Sequence, residues 1–166
     1  MSFVARMLLG VLLAVSSLSA QESPQKSATP TASQLEKSFF AILRNGDALQ
    51  FLSYVPQDGV NLGHYAEHTT KAEIEEQLTK KKELYCKLFD TACLQPAAGD
   101  HGPRCSYREL LNQSEKVRTA STETTRNNVR QAILVAEVQN DKCGGHVLID
   151  FIFNQQSGGW TLFSIP

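Results

Sequence analysis

The sequence predicts an α+β domain in which N-terminal helices pack on a curved antiparallel sheet. Three observations point there. Apolar residues recur at helical spacing from Leu35 to Phe89, and they alternate with polar ones in the last third of the chain. Each break in that last third is short and made of turn residues: Arg126-Asn127-Asn128, Asn140 to Gly145, and Gln155 to Gly159. Short turns join antiparallel neighbours, so the second half reads as a meander.

The chain opens on MSFVARMLLGVLLAVSSLSA, where Arg6 precedes the apolar run MLLGVLLAV and the small residues SSLSA. That is the layout of a secretory signal peptide, with cleavage expected near Ala20. The apolar run is short for a bilayer span and no second one follows, so the mature chain is expected to be secreted or periplasmic, without a membrane span; a retained N-terminal anchor is the alternative. Residues 21–166 suffice for one core and are too few for two comfortable ones. The whole chain has 16 basic and 17 acidic side chains; losing Arg6 leaves 15 against 17, a net of −2. A nucleic-acid surface would be basic, and the one basic run, Lys80-Lys81-Lys82, lies among glutamates as a solvated face.

The polar, Pro-containing stretch QESPQKSATPTA, residues 21–32, reads as a disordered tether, and the folded domain as residues 33–166. Ser33 and Glu36 form a capping-box pattern, and the helix they open carries Leu35, Phe39, Ile42 and Leu43 before Asn45-Gly46 stops it. Asp47 caps a second, shorter helix through Leu49, Leu52 and Val55, which Pro56 ends. A short strand follows at Val60 to Leu62. Thr70 and Glu73 repeat the capping pattern and open the longest helix, with Ile74, Leu78, Tyr85, Leu88 and Phe89 on one stripe. After a loop rich in Pro and Gly, residues 95–103, come a short helix at Ser106 to Asn112 and strands near 117–124, 129–139, 146–154 and 160–165.

This order carries a resemblance. FFAILRNGDALQFLSYVPQDGVNL resembles the opening of the nuclear transport factor 2-like superfamily, whose first helix ends near a small residue and Asp, followed by a short helix and a strand. GGWTLFSI resembles its last strand, with Trp160 just after a Gly turn. The superfamily also holds ketosteroid isomerases and SnoaL-like cyclases. The resemblance spans residues 33 to 165 and implies a cone-shaped, cystatin-like roll whose concave mouth can enclose a small apolar ligand. Ketosteroid isomerases pair an aspartate base with tyrosine and protonated aspartate donors in an apolar pocket. Tyr54, Tyr65, Tyr85 and Asp150 have the right chemistry, and Tyr54, Tyr85 and Asp150 are the candidate pocket residues; none falls in a matching motif, so no catalytic residue is assigned. Asp150 and His146 share a strand about 13 Å apart and cannot form a dyad.

GHYAEH contains H-x-x-E-H, with His64, Glu67 and His68, the short signature of one metallopeptidase class. Such a site needs both histidines on one helical face, whereas the capping pattern starts the next helix only at Thr70 and leaves the motif in a loop. No metal and no cofactor is expected. Cys86, Cys93, Cys105 and Cys143 are even in number and lie in an exported domain, which points to two disulfides. Of three connectivities, Cys93 with Cys105 and Cys86 with Cys143 is favoured, because the first pair closes the Pro- and Gly-rich loop. Asn112-Gln113-Ser114 is a glycosylation sequon, relevant only in a glycosylating host.

Strand alternation places Val147, Ile149, Phe151 and Phe153, with Ala132, Leu134, Ala136 and Val138, on one apolar inner face. The outer face is not cleanly polar: Ile133, Val135, Leu148 and Ile152, with Trp160 and Leu162 of the last strand, are expected to point outward beside Glu137, His146 and Asp150. Two function classes stay open. One is a small-molecule-binding or enzymatic cone for a small apolar ligand; the other is a noncatalytic exported module that forms a homodimer or binds a protein partner through the outer sheet face. The second is preferred, since no matched catalytic set is present.

Overall fold

The computed structural model describes residues 29–63, 67–94 and 105–166, so the signal segment, His64, Tyr65 and the Pro- and Gly-rich loop lie outside the described residues. Helix α1 spans Ala32–Asn45 and is capped by Thr31, whose hydroxyl accepts from the Gln34 amide while the Gln34 side chain accepts from Thr31 N at 2.9 Å. The capping box therefore sits two residues earlier than Ser33 and Glu36. Tertiary contacts decide this: Trp160 Nε1 donates to Pro30 O at 2.6 Å and Ala32 N donates to Glu123 Oε1 at 2.9 Å, fixing the chain as it enters the helix. The Glu123 carboxyl is held below its ordinary range, first by the Ala32 amide and then by Arg130. A carboxyl depressed in this way stabilises the fold above the ordinary carboxylate range, and that contribution is lost as pH falls through its folded value.

Leu35, Phe39, Phe40, Ile42 and Leu43 are the buried stripe of α1. Gly46 closes the helix at φ 72°, a left-handed value, and Asp47 N returns to Ile42 O at 3.1 Å, the second bond of a Schellman stop. Asp47 then caps α2, Ala48–Ser53, by accepting from Gln50 N at 2.9 Å. Strand β1, Val60–Leu62, pairs antiparallel with β2, Glu67–Thr69. Glu67 and His68 thus belong to a strand and not to a loop, and the His68 ring donates to Asp58 O at 2.6 Å.

The long helix expected after Thr70 is two helices, α3 at Lys71–Thr79 and α4 at Glu83–Phe89. Lys81 between them has φ 49°, and the first free amides of α4 find a partner in the Gln77 side chain, which accepts from Leu84 N at 3.1 Å. Lys82 first and then Lys80 reach Glu76, pulling its carboxyl down to about 2 through those hydrogen bonds. A turn of 3-10 helix, Thr91–Cys93, and helix α5, Tyr107–Gln113, complete the helical layer.

The sheet has the order β2-β1-β6-β5-β4-β3, with β3 at Lys116–Arg126, β4 at Val129–Asn140, β5 at Gly145–Gln156 and β6 at Gly159–Ile165. The meander β3 to β6 is antiparallel throughout, and β1 adds parallel to β6 through Asn61 with Ser164 and Leu62 with Ile165. Helices lie on one face of this open sheet, in the α+β arrangement the sequence predicts. Asn127 and Asn128, at φ 51° and 62°, make the two-residue turn between β3 and β4, the positive-φ pair that right-twisted strands demand.

Both disulfides form, and the pairing differs from the favoured one: Cys86 joins Cys93 and Cys105 joins Cys143, with Cα separations of 5.4 and 5.3 Å. Asp90 is extended after α4, so the following turn folds back and delivers Cys93 to Cys86 on the helix it has just left. Cys105 precedes α5 and reaches Cys143 in the β4–β5 turn, stapling the helical layer to the sheet.

Candidate functional site

The concave face of the sheet is where a ligand-holding cone would keep its cavity. Here Phe39 of α1 fills it. Its ring meets Phe151 and Phe153 of β5 at centroid distances of 4.9 Å each, Tyr54 at 5.6 Å and Phe51 at 5.7 Å. Most of these pairs are edge-on, the arrangement in which ring quadrupoles attract. Phe39, Phe51, Phe151 and Phe153 are each 0% exposed. Tyr54 is part of this packing, with Phe153 at 5.7 Å on its other side.

The candidate pocket residues are not brought together. Tyr54 packs on the inner side of the sheet. Tyr85 sits on α4 against Phe89, with the Lys81 ammonium 5.6 Å from its ring centroid. Asp150 alternates with buried Ile149 and Phe151, so it is half-exposed on the opposite face, across from Val135. Burial raises the Tyr107 hydroxyl far above its ordinary value, with the Asp150 charge adding to it, and that hydroxyl donates to Pro166 O at 3.3 Å. Among the described residues no group of three His, Cys, Asp or Glu side chains could hold a metal ion.

A polar cleft of about 320 Å³ lies elsewhere, between Phe89–Ala92 and the outer side of α5. Several of its polar groups cap helices. Ser106 is the N-cap of α5 and Glu109 its third residue, the two ends of a capping box, but the return bond from Ser106 N to the Glu109 carboxylate is relayed. Ser106 N donates to Thr91 Oγ1 at 2.7 Å, and the Thr91 hydroxyl donates to the Glu109 carboxylate. Ser106 Oγ accepts from Glu109 N at 3.2 Å. On the far side, Arg108 Nε and Asn112 Nδ2 both donate to Arg44 O, capping the C-terminus of α1. Thr91→Val should therefore cost about 1–2 kcal/mol, the worth of a lost cap with a stranded donor, and Thr91→Ser should restore most of it; urea unfolding of both variants measures the difference.

The outer face carries the exposed apolar surface. Leu148 is 62% and Phe163 39% exposed, and Ile133, Val135 and Ile152 are half-exposed between them and β3. Cross-strand pairing sets Ile133 beside Ile152 and Val135 beside Asp150. Arg118, Glu137 and Leu148 form the next row; His146 Nε2 lies 2.8 Å from Glu137 Oε1 and lowers the Glu137 carboxyl through that bond. Trp160 and Leu162 are not on this face. They are buried, at 6% and 1%, because a two-residue turn pairs Gln156 with Gly159, which puts Trp160 beside Gln155 and Leu162 beside inward Phe153. A bulge then inserts Phe163 between the Phe153 and Ile152 pairings and leaves it exposed, next to Ser164, which pairs with outward Ile152.

No protein-family model matches the chain, and no curated protein matches it in sequence. The described residues take the helix-then-sheet order that the nuclear transport factor 2-like resemblance implies. Two solved structures, titled Rd1NTF2_04 with long sheet and Rd1NTF2_05 with long sheet, align over 81% and 82% of this chain and 97% and 94% of theirs. Identity is 9% and 10%, and the TM-score is 0.42 for each. A likeness this loose says nothing about a ligand, a reaction or a partner. No described helix is long and apolar enough to cross a membrane.

Proposed function

We propose that this chain is an exported, noncatalytic interaction module whose working surface is the outer face of the sheet, and that the occupant of that face is a second copy of the chain. The observation that supports this reading is the contrast between the two faces: the concave side is filled by packed rings, while Leu148 and Phe163 stand exposed on the other. Taking such a patch out of water yields roughly 25 cal/mol per Å² before the costs of association. Self-association fits the charges, because the rim carries both signs, Lys116 and Arg118 against Glu137 and Asp150. Export is supported by the signal-like first twenty residues and by cysteines that are all paired among the described residues. A cone for a small apolar ligand is the competing reading, and it requires Phe39, Phe153 and Tyr54 to move aside.

Light scattering at micromolar concentration tests the proposal. The wild type is expected at twice the chain mass, and Val135→Glu with Leu148→Glu is expected to weaken the dimer at least about tenfold, since each buried unpaired carboxylate costs more than the ~1.4 kcal/mol that a factor of ten represents. A monomeric wild type, or a dimer indifferent to the two charges, contradicts it.

A further inference from the structure

The two disulfides differ in what a reductant can reach. Cys105 and Cys143 are both buried, at 7% and 2% exposed, and their bridge spans 38 residues of sequence. Cys86 is buried at 4%, but its partner Cys93 is exposed, and their bridge closes a loop of only seven residues in separation. That small loop contains Thr91, the hydroxyl through which Ser106 N and the Glu109 carboxylate are joined at the start of α5. Apart from the bridge, one backbone bond ties the segment to α4, Asp90 N donating to Cys86 O at 3.2 Å; Ala92 N to Asp90 Oδ1 at 3.0 Å, Cys93 N to Asp90 O at 3.4 Å and Leu94 N to Thr91 O at 3.1 Å stay within the segment itself. Among the described residues, the hydrogen bonds from this segment to Ser106 and α5 run through Thr91 Oγ1.

We infer that Cys86–Cys93 is a redox latch: an external dithiol reduces it selectively, and its opening releases the Thr91 relay and loosens the N-terminus of α5, while Cys105–Cys143 stays closed. In the first step a reductant thiolate attacks Cys93 Sγ, forming a mixed disulfide and expelling Cys86 as a thiolate that takes up a proton. In the second step the reductant's other thiolate attacks its own sulfur in that mixed disulfide, and Cys93 leaves and is protonated. The dithiol becomes a disulfide, and two electrons and two protons pass to the protein. The sulfur that must be attacked belongs to the exposed residue, which is what makes this bridge the accessible one. Once it opens, the bond from Asp90 N to Cys86 O still joins the turn to the end of α4, but the covalent tie at Cys93 is gone, the 3-10 turn can swing away, and Ser106 N then loses its acceptor. The consequence is local to the polar cleft, because Phe89–Ala92 form one wall and α5 the other.

The experiment is graded dithiothreitol treatment of the native protein, quenching with iodoacetamide, peptide mass spectrometry, and hydrogen exchange on the same samples. Cys86 and Cys93 are expected to be alkylated at reductant concentrations at least tenfold below those that label Cys105 and Cys143. Amide exchange over residues 106–110 should accelerate in step with that first labelling, while β4 and β5 stay protected. Oxidised Thr91→Val should show the same acceleration without any reductant. Labelling of all four cysteines together, or of Cys105 and Cys143 first, overturns the selective latch; selective labelling with unchanged exchange at 106–110 overturns the coupling to α5.

Discussion

Phe39→Ala is expected to lower the unfolding free energy by about 3–5 kcal/mol, the usual cost of removing a buried phenyl ring. The reason is geometric. Phe39 touches rings from α2, from β5 and from Tyr54, so no single neighbour can relax into the space it leaves. The same substitution makes a second, sharper forecast. A cavity lined by Phe51, Phe151, Phe153 and Tyr54 is apolar, and apolar cavities of that size admit small aromatic molecules. Benzene should raise the melting temperature of Phe39→Ala and leave the wild type unmoved. Stabilisation of the wild type by the same probe would mean that the concave side already holds usable space.

Gly59→Ala is expected to cost about 3 kcal/mol or more, because two penalties fall on one atom. Gly59 has φ 97°, and a Cβ there would lie 2.1 Å from Thr69 O and 2.8 Å from Thr70 Cα. Both obstacles are backbone, so neither can swing away. Gly59 closes the turn from Pro56, with Gly59 N donating to Pro56 O at 3.0 Å, and sends the chain into β1. Moving it pushes on β2, and through β1 on the parallel pairing with β6. Chemical denaturation gives the total loss. A cost below about 1 kcal/mol would show that the β1–β2 hairpin can shift freely, contrary to this packing.

Local chemistry was readable wherever one residue decides the outcome. Gly46 and Asp47 stop one helix and start the next as their sequence implies, and Asn127-Asn128 makes the tight turn. The inner faces of β4 and β5 follow from alternation alone, since a one-residue slip would expose Phe151 and Phe153. What could not be read depends on distant partners. The break at Lys81 is invisible because Ile74, Leu78, Tyr85 and Leu88 fit one unbroken helical stripe; Gln77 supplies the missing cap only after the chain has turned. The disulfide pairing rests on the reversal at Asp90, which no residue preference announces. Alternation alone puts Trp160 and Leu162 outward, because the register of β6 hangs on a two-residue turn and a bulge, and two glycines leave that register open. The outward placement of Ile133, Val135, Leu148 and Ile152 follows from alternation, whereas that of Phe163 does not, because it sits in the bulge.

The proposed interface on the outer sheet face and the packed rings on the concave face make opposite forecasts for solvent access. Methyl NMR with a soluble paramagnetic agent tests both halves at once, read at low and at high protein concentration. The methyls of Leu134 and Ile149, which face inward, should be shielded at every concentration. Those of Ile133, Val135, Leu148 and Ile152 should be exposed at low concentration and become shielded as the dimer forms, and Val135→Glu with Leu148→Glu should leave the remaining ones exposed throughout. Outer methyls that stay exposed at every concentration, together with inner methyls that respond to an added apolar ligand, would contradict the interface and place the function in the cone.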